Sequence, residues 1–117
     1  MKISLPFPDA RLSPNARVHW RVLARVKKTA RMAAHVLTLE LGGIDELRKH
    51  FAGDFGIPIR LLFFPPTNHK RDLDNALSSM KAYLDGIADA LKVNDNRFVP
   101  HMEMRLADKP GRVEIYL

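Results

Sequence analysis

The sequence predicts an α/β (α+β) fold, a mixed sheet covered by helices in the order β-α-β-α-β-β. Three observations predict it. Four short segments, at 2–7, 57–64, 97–106 and 112–117, alternate or run apolar as strands do. Two longer segments, 17–41 and 74–92, carry a helical period between them. Gly42-Gly43 and Pro65-Pro66 punctuate the boundaries.

In the first strand, "KISLPF" places Ile3, Leu5 and Phe7 on one side, and Pro6 suits an edge position. "PDARLSPNAR" is rich in turn residues and reads as a loop. The first helix has an apolar stripe of Val22, Leu23, Val26, Ala30, Ala33 and Leu37, and ends at Gly42-Gly43. "IDELRKHFAGDFG" fits either a short helical turn or a loop. "IPIRLLFF" is branched and apolar enough for a buried strand that stops at the two prolines. The second helix is expected from about Asp74 to Lys92. "RFVPHMEMRL" then alternates as a strand, "ADKPG" turns, and "RVEIYL" returns as its expected hairpin partner, with Val113, Ile115 and Leu117 on one face.

A chain of 117 residues is most simply one domain, 1–117, with 46% hydrophobic and 27% charged residues in the globular range. The net charge of +6 and the isoelectric point near 10.0 favour a polyanionic partner, nucleic acid first, although many small basic proteins have no such partner. Absence of cysteine excludes a disulfide framework, a zinc–thiolate centre and a thiol nucleophile. "MKISLPFPDA" lacks the apolar core of a signal peptide, and no run approaches the roughly 20 residues that span a bilayer. A cytoplasmic protein with no membrane partner is the expectation.

The second helix has two stripes. Leu77, Met80, Leu84, Ile87 and Leu91 form the core face; Asp74, Ser78, Lys81 and Asp85 lie together at its rim, where side chains reach into a cleft. Lys81 and Asp85 alone would read as a surface i,i+4 pair. Asp72 and Asp74 stand two apart between a strand and a helix, so in extended backbone both carboxylates point the same way. One aspartate there is explained as an N-cap. A second is not, and two close anions repel unless a cation sits between them. All-oxygen ligation selects Mg²⁺, with Mn²⁺ as a substitute, and such an ion can bind a phosphate oxygen and activate water.

The stretches "RDLDN" (71–75), "KAYLDGIADAL" (81–91) and "VNDNRF" (93–98), together with "LPFP" (5–8) and the asparagine of "SPNARVHW" (13–20), resemble the RusA family of Holliday-junction endonucleases. The likeness covers nearly the whole chain. It implies a RusA-like homodimer that resolves four-way DNA junctions in recombination and repair by paired, Mg²⁺-dependent cuts. By motif it puts the catalytic and metal-binding carboxylates at Asp72, Asp74 and Asp95, and the catalytic lysine at Lys81. That lysine follows Asp74 by nearly two helical turns, a longer spacing than the family pattern. A straight helix over 75–91 would span about 25 Å and keep Asp95 from Asp74. The expectation is therefore that the helix ends early, near Gly86, and the chain folds back, or that a second subunit completes the site.

The candidate DNA contacts are Asn15, then Arg17, Arg21, Arg25 and Lys28 on one face of the first helix, and His69, Lys70 and Arg71 in the loop before the aspartates. A solvated charged face explains the helix residues equally well. His19 and Trp20 offer rings for exposed bases, but tryptophan is ordinarily buried and burial is the expectation for Trp20. Two other readings stay open. One is a catalytically impaired junction-binding module of the same fold. The other, a nucleotide hydrolase or phosphotransferase, is disfavoured by the lack of a glycine-rich phosphate loop.

Overall fold

The computed structural model describes residues 1–117. It is an α+β structure with one four-stranded mixed sheet and four α-helices. The elements are β1 (Lys2–Pro6), α1 (Trp20–Glu40), α2 (Ile44–His50), β2 (Ile57–Phe64), α3 (Leu73–Ser79), α4 (Lys81–Leu91), β3 (Phe98–Met104) and β4 (Arg112–Tyr116), with 3-10 turns at Ala10–Leu12 and Asp95–Arg97. No helix is long and apolar enough to cross a membrane.

The sheet order is β1-β4-β2-β3. β4 is antiparallel to both neighbours, with Ile115 opposite Ile3 on one side and Leu61 on the other; β2 and β3 are parallel. β1 is an edge strand, as Pro6 suggested. The expected β3–β4 hairpin does not form, because β2 lies between them. The apolar residues of β2 require neighbours on both sides, and the connection after β3 follows the end of β2 across. In that connection the Arg105 N–H donates to Phe63 O at 2.8 Å and the Asp108 N–H to Pro65 O at 2.9 Å.

Ile3, Leu5, Ile57, Ile59, Leu61, Phe63, Val113 and Ile115 form the covered face of the sheet and meet Met80, Tyr83, Ile87 and Leu91 from the helical layer. Alternate residues such as Ser4, Pro58 and Arg60 are exposed, so the helices cover one face. α4 packs between the sheet and α1, which explains why Ala82, Gly86, Ala88 and Ala90 are buried as well as its apolar stripe. At the crossing with α1, a Cβ on Gly86 would lie 2.2 Å from Arg31 O. No larger residue permits so close an approach of two backbones.

Three elements differ from, or resolve, the expectation. α1 starts at Trp20 rather than Arg17, because the His19 Nδ1 accepts from the Arg21 N–H at 3.2 Å and caps the helix there. The segment after Gly43 is a helix whose first turn holds Asp45 and Glu46 and whose last turn holds Arg48, Lys49 and His50, the charge order that suits the helix dipole. The second long helix is interrupted at Met80, dividing it into α3 and α4. The Ser78 and Ser79 hydroxyls donate back to the carbonyls of Asp74 and Asn75 at 3.0 and 2.8 Å, and the Met80 N–H bonds three residues back to Leu77. Back-bonding serines of this kind bend helices.

Candidate functional site

α1, the 3-10 turn at Ala10–Leu12 and the α3–α4 junction enclose a groove of about 710 Å³. Its charged lining is Arg11, Lys27, Lys28, Arg31 and Lys81 against one carboxylate, Asp85; Ser78 and Ser79 form part of the wall. Three of the four members of the expected rim stripe, Ser78, Lys81 and Asp85, thus face one groove.

Lys81 sits at the first position of α4 and donates to Asp85 Oδ1 at 2.7 Å and to Asp95. Asp95 reaches it because Lys92 adopts a left-handed conformation (φ 56°), the Val93 N–H closes on Ala88 O at 3.1 Å, and the chain turns back. The fold-back therefore follows Lys92; the helix does not end near Gly86. The groove wall continues in Arg31, which grips Asp89 through two hydrogen bonds of 2.6 and 2.8 Å and lies 4.0 Å from Asp85.

This network shapes its own titration. The hydrogen bond to Asp85, and then that to Asp95, hold the Lys81 ammonium above its usual pKa. The Lys81 hydrogen bond holds the Asp95 carboxyl below its usual value. A raised lysine contributes fully below its unfolded pKa and loses the contribution as pH rises through the folded one. A depressed aspartate contributes above its unfolded pKa and loses it as pH falls through the folded one. Lys81→Met should therefore lower the denaturation midpoint slightly near neutral pH, and by less in acid as pH falls through the lowered Asp95 pKa. Equal effects at neutral and acid pH would contradict the pairing.

Asp72 is the N-cap of α3: its Oδ1 accepts from the Asp74 N–H at 2.8 Å. The capping explanation thus holds for Asp72. Asp74 occupies the first turn, exposed, and no hydrogen bond within the chain engages its carboxylate. Asp72→Ala should cost about 1 kcal/mol in urea denaturation, whereas Asp72→Asn, which retains a capping oxygen, should cost only a few tenths. Equal losses would contradict the cap.

The three expected metal-binding carboxylates do not assemble within one chain. No group of three or more histidine, aspartate or glutamate side chains converges in a way that could hold a metal ion. Asp72 and Asp74 stay together before and within α3, while Asp95 is engaged by Lys81. A single chain in this arrangement does not fit a three-carboxylate centre.

The expected DNA contacts separate into three groups. Arg21, Arg25 and Lys28 lie at i, i+4 and i+7 on the outward ridge of α1, and Lys28 also lines the groove. Arg17 is exposed but precedes the helix, correcting its expected place on that face. Asn15 is exposed in the loop whose Ser13, Pro14 and Ala16 line the groove. His69 and Lys70 are exposed, and Lys70 shares a smaller cavity with Asp72. Arg71 is committed to the fold: it donates to Thr67 O at 2.7 Å and His69 O at 3.0 Å, and its guanidinium lies 5.5 Å from the Phe7 ring centre.

Lys27 and Arg31 were visible as basic residues of the first helix, yet they belong to the groove more directly than Arg21 or Arg25. Their i,i+4 spacing on the flank shared with Leu23 is the signal that identifies them. Arg11 arrives from the 3-10 turn at Ala10–Leu12, and no sequence period marks it. Asn94 caps the turn at Asp95–Arg97, accepting from the Asn96 N–H at 3.1 Å.

No family model matches the chain. Over 99 residues, 85% of this chain, it is 43% identical to an uncharacterized protein of Xylella fastidiosa. The match spans 63% of that relative's length, so this chain corresponds to less than two thirds of it.

Proposed function

We propose that this protein is a structure-selective DNA endonuclease similar to the RusA family, acting as a homodimer on four-way junctions with Mg²⁺ or Mn²⁺ as cofactor. The observation that carries the reading is the groove beside α4, lined by five cationic side chains, of which Arg11, Arg31 and Lys81 are paired with aspartates while Lys27 and Lys28 have no carboxylate partner. Such a surface suits a phosphodiester backbone, whose charge is neutralised by lysine and arginine with release of counterions. Lys81, held cationic by Asp85 and Asp95, would counter charge on a phosphate in the groove. Asp85, with Arg31 4.0 Å from it, and Asp95 hold that lysine in place. The cofactor rests on the family resemblance and on the chemistry of Asp72 and Asp74. Because Asp95 does not join them within one chain, no hydrolytic step is assigned through a metal.

A second reading has an observation of its own. Asp95 bonded to Lys81 instead of standing with Asp72 and Asp74 also suits a junction-binding protein that does not cut. Both readings require groove binding. Replacing Lys27 and Lys28 together by alanine should weaken junction binding and lower the slope of log affinity against log salt by about 2 if each neutralises one phosphate. An unchanged slope would remove the groove from the DNA interface.

A further inference from the structure

We infer that Trp20 is a stacking platform for an unpaired nucleobase, belonging to a DNA strand whose phosphates follow the groove between α1 and α4. The inference rests on the DNA-binding reading above and adds the structural feature of DNA that is recognised. Trp20 is 68% exposed, against the expectation of burial, and is the chain's sole tryptophan. Its indole is not free to swing without cost. The His19 ring lies beside it, with centroids 5.8 Å apart and planes 25° from parallel, and the Arg21 guanidinium carbon is 5.2 Å from the indole centre. His19 is itself fixed as the cap of α1. An aromatic ring exposed to solvent and flanked by an imidazole and a guanidinium is the arrangement on which unstacked bases settle.

Its position on the helix connects it to the groove. Trp20, Lys27 and Arg31 are at i, i+7 and i+11, which places them within about 40° of one another on one side of α1. Lys27 follows Trp20 by about 10 Å along the axis and Arg31 by about 16 Å. A strand whose phosphates meet Lys27, Arg31 and Lys81 therefore carries a base a few nucleotides away to the indole. The surroundings favour this occupant over an apolar protein surface: from Ser13 to Leu39 the chain has Arg17, Arg21, Arg25, Lys27, Lys28 and Arg31 and no acidic residue. A polyanion with flat apolar faces complements both the charge and the ring.

The sole tryptophan is also the probe. The full chain is titrated with oligothymidylate, with a blunt duplex, and with a four-way junction bearing unpaired thymines at its centre, following tryptophan emission and, separately, anisotropy of the labelled DNA. Oligothymidylate and the modified junction should quench the emission, whereas the duplex should bind with little quenching. Trp20→Ala should bind oligothymidylate roughly tenfold more weakly while its duplex affinity stays within about twofold, and Trp20→Phe should retain most of the affinity. Saturating oligothymidylate without quenching, or equal affinity of Trp20→Ala and the parent, overturns the stacking site and leaves DNA binding standing. Failure to bind any of the three DNAs overturns the inference together with the reading beneath it. Emission that changes with protein concentration alone and no further on adding DNA would assign Trp20 to a contact between copies, which also overturns it.

Discussion

Gly86→Val should destabilise the protein by about 3 kcal/mol or more, a large part of the 5–15 kcal/mol typical of a domain. The first added carbon would lie 2.2 Å from Arg31 O, 2.9 Å from Ala34 Cβ and 3.0 Å from His35 N. Two of those three neighbours are backbone atoms in the middle of α1, which cannot turn aside as a flexible side chain can. Relief would require α1 and α4 to separate, opening the contact that fixes the width of the groove. Gly42 provides the contrast: its φ of +78° strains any other residue, but a Cβ there meets nothing within 4 Å. Gly42→Ala should cost about 1–2 kcal/mol, from backbone strain alone. Urea denaturation of the two variants checks the comparison, and a Gly86→Val loss no larger than that of Gly42→Ala would contradict the close crossing.

Asp74→Asn should reduce junction cleavage by at least about 100-fold while changing stability by less than about 1 kcal/mol. The two effects separate because the fold makes no use of this carboxylate: the Asp74 N–H serves the cap and its carbonyl accepts from Ser78, but its side chain has no partner within the chain. An exposed, unpaired anion at the start of a helix contributes little to folding, so a large loss of cleavage would identify it with chemistry. Asp72→Asn makes a useful companion, since it keeps the cap and removes the charge. A variant at Asp74 that cuts like the parent would remove the paired aspartates from the site. Denaturant midpoints alongside the cleavage rates distinguish this from misfolding.

Much of the architecture was legible because it follows from local patterns. The alternation at Ile3 and Leu5, the apolar run at 57–64, and the helical stripe over 20–40 each express one element's own burial, and the glycine and proline stops bound them. Strand order was not legible in this way. β3 and β4 adjoin in sequence with a turn between them, and only the competition for β2, which has to be flanked on both sides, separates them. The break at Met80 was written in Ser78-Ser79, but serines interrupt a helix only when their hydroxyls turn back to the carbonyls of the previous turn, a rotamer choice the sequence does not display.

The site shows the same division. Helical angle brought Ser78, Lys81 and Asp85 to one rim, and they do share a groove. It could not bring Arg11, which comes from the short 3-10 turn at Ala10–Leu12, or reveal that Arg71 is taken up by the Thr67 and His69 carbonyls. Asp95 depends on the turn at Lys92, where a lysine adopts a conformation usual for glycine; the resulting partner is Lys81 rather than the two earlier aspartates. Trp20 departs most plainly from the ordinary expectation, since a residue usually buried stands in solvent at the head of a basic helix.

The central claim, that this basic groove belongs to an enzyme that cuts branched DNA, is tested most directly by incubating the protein with an end-labelled four-way junction or the matching linear duplex, in Mg²⁺, Mn²⁺ or EDTA. The account predicts paired cuts in opposing strands of the junction with either metal, none in EDTA, and an intact linear duplex throughout. A junction that is bound tightly yet stays whole in both metals would contradict it and leave a binding protein without the chemistry.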